Sequence, residues 1–189
     1  YLQRLECPDV IVIPGNHDLP AELERRFAQP PFQVGGTHLA GRWAIVMLST
    51  WFAEAADGEG RLGAAELQRL AESLEANRDR PVLVCLHHQP IAMEGAGLDA
   101  LGLGDAEQFR AVVARHPQVR AVVWGHAHQS LDVFRDGTRW LCTPSTCMQF
   151  RPRDPGFVID GRPPGYRVID LHDDGGIATE VVWLEGYRQ

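Results

Sequence analysis

Val119 to His128, VRAVVWGHAH, is an apolar run that stops at a glycine and releases His126 and His128 one residue apart. A run this continuously apolar reads as a strand buried on both faces, which requires helices as cover. Two other stretches follow the same plan. PVLVCLHH (Pro81 to His88) ends in paired histidines, and an apolar strand from Asp9 to Ile13 runs through Pro14 into Gly15-Asn16-His17-Asp18. A fourth strand is read in RWAIVMLST, Arg42 to Thr50. Amphipathic segments separate these strands. PAELERRFAQ (Pro20 to Gln29) has proline in its first turn and acidic residues early. GAAELQRLAESLEANRD (Gly63 to Asp79) places Leu67, Leu70 and Leu74 on one stripe. In GDAEQFRAVVARH (Gly104 to His116), Asp105 and Gln108 fit a capping box. Strands alternating with helices predict an α/β fold.

Beyond His128 the apolar period changes to two. LDVFRDGTRWLCT turns at Asp136-Gly137 and YRVIDLHDDGGIATEVVWL at Asp174-Gly175-Gly176, both hairpin signatures. A Pro/Gly-rich loop, Phe150 to Gly165, lies between them, and its Arg151 and Arg153 are candidate contacts for a phosphate or a base. The five tryptophans, Trp43, Trp51, Trp124, Trp140 and Trp183, fall in or beside strands as core or half-buried aromatics do. No repeat or linker divides the chain, so residues 1–189 are read as one domain.

A net charge of -7 argues against a nucleic-acid polymer or an anionic membrane as partner, since both need basic surface. A small anionic substrate stays compatible, because a bound cation reverses the local field. Cys7, Cys85, Cys142 and Cys147 lack zinc-type spacing and are read as reduced and mostly buried, which points to the cytoplasm. No apolar stretch reaches the ~18 residues of a membrane helix.

The histidines carry the chemistry. His17, His87, His88, His126 and His128 all follow buried strands, whereas His38, His116 and His172 are assigned to the surface. Ligands of open α/β sheets bind beyond the carboxyl ends of strands, so three segments can converge on one cleft. Imidazole favours transition metals and the Asn16 amide oxygen adds a hard donor, a set suited to iron, manganese or zinc.

GNHD, then strand-HHxP, then GHAH followed by a hairpin resembles the calcineurin-like metallophosphoesterases. Within them WGHAHQSLDVFRDGTRWLCTPSTCMQF and the tail PPGYRVIDLHDDGGIATEVVWL are most similar to the bacterial class III 3',5'-cyclic AMP phosphodiesterases. The resemblance implies a metallophosphoesterase-type α/β/β/α sandwich, two divalent ions, and hydrolysis of 3',5'-cyclic AMP to AMP by a dinuclear-metal hydroxide mechanism. It implies that Asn16, His87 and His126 ligate the second metal and His128 the first. His88 would be a neighbour of the site, with a swap of His87 and His88 left open. His17 would be catalytic, stabilising charge on the phosphate or protonating the leaving oxygen. Asn16, His17 and His128 would also meet the substrate.

The family pattern also requires an Asp-x-His and a Gly-Asp ahead of GNHD. Only fifteen residues precede Asn16, and Tyr1 to Leu5 reads as the last turns of a helix. Asp170-Leu171-His172 and Gly104-Asp105 spell the two motifs, but a hairpin and a helix cap explain them. The expectation is therefore a C-terminal two-thirds of a phosphodiesterase that lacks its N-terminal βαβ portion, weakly active or inactive by itself. The sheet edge and apolar face so exposed would invite pairing, including a homodimer. The alternatives are a non-catalytic scaffold of the same fold, a general phosphodiesterase or phosphomonoesterase, and a mononuclear zinc module.

Overall fold

The structure, a computed structural model, describes residues 9–55 and 58–186, so Cys7 and the Tyr1 to Leu5 segment lie outside the described residues. The chain first forms β1 (Val10–Val12), α1 (Pro20–Arg26) and β2 (Phe32–Val34), a small parallel βαβ unit in which Val12 pairs with Val34. Helix α1 begins at Pro20 and buries no residue. It ends at Arg26, short of Gln29, where Phe27 turns to pack on Phe32 with ring centroids 4.8 Å apart.

Next come β3 (Gly36–Ala40), β4 (Trp43–Met47), α2 (Gly63–Ala76), β5 (Val82–Leu86), α3 (Ala96–Ala100), α4 (Ala106–Ala114), β6 (Val119–Trp124), β7 (Leu131–Arg135) and β8 (Thr138–Cys142). They build a six-stranded sheet of order β3-β4-β5-β6-β8-β7, parallel from β4 through β8 with an antiparallel strand at each edge. Two short strands, β9 (Gln149–Phe150) and β10 (Ile159–Asp160), pair within the Pro/Gly-rich loop. The hairpin of β11 (Gly165–Leu171) and β12 (Ile177–Trp183) forms a separate sheet.

Burial explains why the central strands read as unbroken apolar runs. On β5, Val82, Val84 and Leu86 join the core under α2 and α4, built from Leu70, Leu74, Phe109, Val112 and Val113. Leu83 and Cys85 face the opposite way, into a second cluster with Trp43, Ala121, Leu141 and the hairpin residues Ile169, Leu171 and Ile177. The layers are thus helices, sheet and hairpin. Each fully buried Leu contributes roughly 1.5–3 kcal/mol, and polar ties lock the two sheets together. Arg167 donates from Nη2 to the carbonyls of Leu131 (3.0 Å) and Cys142 (2.9 Å), and Trp43 Nε1 donates to His172 O at 2.9 Å.

Three expectations need correction. The Asp105 carboxylate does not cap its own helix; it accepts from Leu62 N (3.0 Å) and Gly63 N (2.7 Å) at the start of α2. His116 is buried between α4 and α2, with Nδ1 2.8 Å from Val112 O and Nε2 3.3 Å from Glu75 Oε1. Cys147 is exposed, whereas burial pushes the free thiols of Cys85 and Cys142 up to about 12.

Candidate metal centre at the strand ends

The parallel strands β4, β5 and β6 all point their carboxyl ends at one region, and the histidines sit on the turns that leave it. After β5 the chain delivers His87 and His88; after β6 it turns sharply through Gly125 to His128. His126 and His128 both adopt left-handed backbone conformations, with φ of 56° and 50°. Such a conformation costs a non-glycine residue about 1–2 kcal/mol, so the surroundings must hold it. Gly125 N donates to His87 O (3.2 Å), Ala127 N to Gly125 O (2.6 Å) and Phe150 N to His128 O (3.0 Å).

Asn16 arrives from the separate βαβ unit on the turn after β1. Asn16 Oδ1 lies 3.0 Å from His87 Nε2 and 3.3 Å from His126 Nδ1, and those two nitrogens are 3.3 Å apart. Gly15 makes the approach possible, because a Cβ there would stand 2.8 Å from His87 Cε1. Burial holds His87 and His126 down to about 3 and His88 to about 4, and it lowers His128 as well. The cluster is therefore neutral near pH 7, with lone pairs available.

Residues of this kind fit a divalent ion. Metal–nitrogen bonds of ~2.0–2.1 Å set neighbouring donors ~2.9–3.4 Å apart, which is the spacing of these three atoms. His126 Nε2 and His128 Nδ1 are buried without a hydrogen bond of standard geometry.

His88 has a different environment. It is fully buried, with Nδ1 2.7 Å from Thr50 Oγ1 and Nε2 3.1 Å from Gly58 O, so both ring nitrogens are engaged by the protein. Its ring packs 4.8 Å from that of His87 and 4.5 Å from that of His126. His128 stacks on Phe150 at 4.9 Å with the rings 16° apart. His17 is exposed and lines a cleft of about 440 Å³ together with Asn16, Trp51, Phe52, Glu59 and His88. The structure thus brings Asn16, His87 and His126 into contact and sets His17 beside them in the cleft. Arg153 pairs with Glu94 at 2.6 Å, and neither it nor Arg151 lines that cleft. Asp170 and His172 are exposed on the hairpin. Thr50, Gly58, Gly15 and the left-handed turn were missed by sequence reasoning. Glycine is the signal that could have found them: a Cβ on Gly15 would collide with the His87 ring and one on Gly60 with the His88 ring.

These features define a layered α/β protein with a candidate metal site at the carboxyl ends of its strands. Residues 1–130 match the calcineurin-like phosphoesterase family, and the chain belongs to that family. It is 36% identical over 173 residues to the 3',5'-cyclic adenosine monophosphate phosphodiesterase CpdA of Vibrio vulnificus, covering 89% of this chain and 61% of that protein. It is 34% identical over 177 residues to CpdA of Escherichia coli K12, covering 93% and 64%. The match to the 3',5'-cyclic-nucleotide phosphodiesterase of Nostoc is 30% over 181 residues, covering 96% and 67%. The chain spans about three fifths of the length of the first of these relatives. Among solved structures, a Staphylococcus aureus protein described as a 5'-nucleotidase superposes with a TM-score of 0.51 at 12% identity, over 92% of this chain and 37% of that one. That likeness concerns the fold alone. No helix among the described residues is long and apolar enough to cross a membrane.

Proposed function

We propose that this chain carries part of the catalytic site of a metal-dependent phosphodiesterase that hydrolyses 3',5'-cyclic AMP to AMP. The observation that carries the reading is the convergence of Asn16 Oδ1, His87 Nε2 and His126 Nδ1; the cyclic nucleotide comes from the names of the relatives. Asn16, His87 and His126 would hold one divalent ion of the iron, manganese or zinc kind, and His128 would serve a neighbouring ion. When bound, such ions polarise phosphoryl oxygens and make water a nucleophile near neutral pH.

The chain's own residues do the rest. Neutral imidazoles at His87 and His126 keep their lone pairs free for the ion rather than for protons. The Thr50 hydroxyl and the Gly58 carbonyl fix the His88 ring, which packs against both of those rings. His17, exposed in the cleft, would offer an N–H to the phosphate or a proton to the leaving oxygen. The cluster of metal-capable side chains among the described residues contains histidines and no carboxylate. We therefore expect this chain by itself to hold one ion weakly and to turn over slowly.

Hydrolysis of cyclic AMP and of bis(p-nitrophenyl) phosphate by this chain in saturating Mn²⁺ tests the reading. Slow conversion of cyclic AMP to AMP is expected, falling at least about tenfold further with His126→Ala. Hydrolysis of the aryl diester without cyclic AMP would make it a general phosphodiesterase, and activity on neither with metal bound would overturn the proposal.

A further inference from the structure

We propose that Trp51 and Phe52 form a nucleobase platform, stacking the heterocycle of a nucleotide whose phosphate lies at the histidines. The inference rests on the phosphodiester reading above and assigns the aromatic lining of the same cleft.

Both aromatics line the cleft that holds Asn16 and His17. Trp43 and Trp124 are only 1% exposed, whereas Trp51 and Phe52 are both half-buried. Their backbone is tied to the histidine cluster: Thr50, the preceding residue, bonds His88 through its hydroxyl and accepts from Arg61 N at 3.0 Å through its carbonyl. Trp51 N also donates to Ser49 Oγ at 3.4 Å. The Arg61 guanidinium lies over the Phe52 ring, 5.3 Å from its centroid, and fixes that ring from one side. The backbone that carries both side chains is thus held at a set position relative to the donors, and Arg61 fixes the Phe52 ring.

Charge and size indicate what they meet. Among the described residues no lysine or arginine lines this cleft, while Asp18 and Glu59 do. Arg61 is engaged on the Phe52 face and does not line the cleft, so a neutral planar ring suits the aromatic lining better than a phosphate does. A cleft of about 440 Å³ lies within the ~300–1,000 Å³ usual for small-molecule sites, with room for a base and a sugar phosphate together. Stacking is tolerant of base identity because every base presents a π face.

Calorimetric titration of the whole chain in saturating Mn²⁺, with adenosine 5'-monophosphate and separately with ribose 5-phosphate, tests the platform. The unmodified chain should bind the nucleotide at least about fivefold more tightly than the sugar phosphate, the lower end of base-stacking contributions. Trp51→Ala and Phe52→Ala should each remove most of that difference and leave ribose 5-phosphate affinity unchanged. Trp51→Phe keeps a π face and should retain the preference, while the apolar Trp51→Leu should lose it, which separates stacking from simple packing. Equal affinities of the unmodified chain for the two ligands, equal losses of both in the variants, or a full preference in Trp51→Leu overturns the platform alone. Binding of neither ligand overturns both the platform and the phosphodiester reading.

Discussion

At His87 the ordinary imidazole equilibrium is displaced by desolvation first and by the neighbouring His88, His126 and His128 next, which together bring it to about 3. His126 follows the same course. In the unfolded chain both return to ~6.5. Above that pH the rings are neutral in both states and contribute nothing to pH dependence. Below it the unfolded chain takes up protons that the folded chain refuses, so the metal-free protein should lose stability progressively from about pH 6.5 down towards 3. Urea unfolding of the chelated protein at pH 7.5 and 5.0 measures this, and equal midpoints would contradict the neutral cluster. Gly15 is the steric counterpart. A Cβ there meets His87 Cε1 at 2.8 Å and Nε2 at 2.9 Å, so Gly15→Ala should displace the ring and weaken Mn²⁺ binding at least about tenfold with little change in far-UV circular dichroism. The histidines at 87, 126 and 128 stand out in the sequence because they follow apolar strands, whereas Asn16 stands out only through the Gly-Asn-His-Asp turn that holds it. The left-handed backbone at His126 and His128 was not legible, since nothing in Gly-His-Ala-His requires φ above zero.

Elements were legible where one face or two faces are buried. Helices α2 and α4 and strands β4, β5, β6 and β8 lie inside the ranges their apolar patterns predict, and the Asp136-Gly137 turn has the positive φ values, 51° and 82°, that its dipeptide implies. Strand β2 escaped the sequence reading because the alternation of Phe32, Gln33 and Val34 is only three residues long, and β3 because Gly36 to Ala40 carries no apolar alternation. Helix α3 escaped because five residues are too few to show a helical period. Asp105 shows a subtler failure. Its position before α4 fits a cap, yet the carboxylate crosses to the start of α2, a contact set by how the two helices pack rather than by local sequence. Because it is only 7% exposed and satisfies two backbone N–H groups, Asp105→Ala should cost about 2–3 kcal/mol. Chemical denaturation would report this as a shifted midpoint at constant slope, and a change within about 0.5 kcal/mol would contradict the bridging role.

Over the whole molecule, the order of layers follows from which strands are apolar on both faces, and the family follows from motifs at their ends. Neither source fixed how the βαβ unit of β1, α1 and β2 docks, yet that docking carries Asn16 to within 3.0 Å of His87. The account stands or falls on whether this long-range contact makes a metal site. The most direct measurement is calorimetric titration of Mn²⁺ into the metal-free chain and into Asn16→Ala, His87→Ala and His126→Ala. The account predicts one ion per chain, bound at least about tenfold more weakly in each variant. Binding that survives undiminished in all three variants would contradict it.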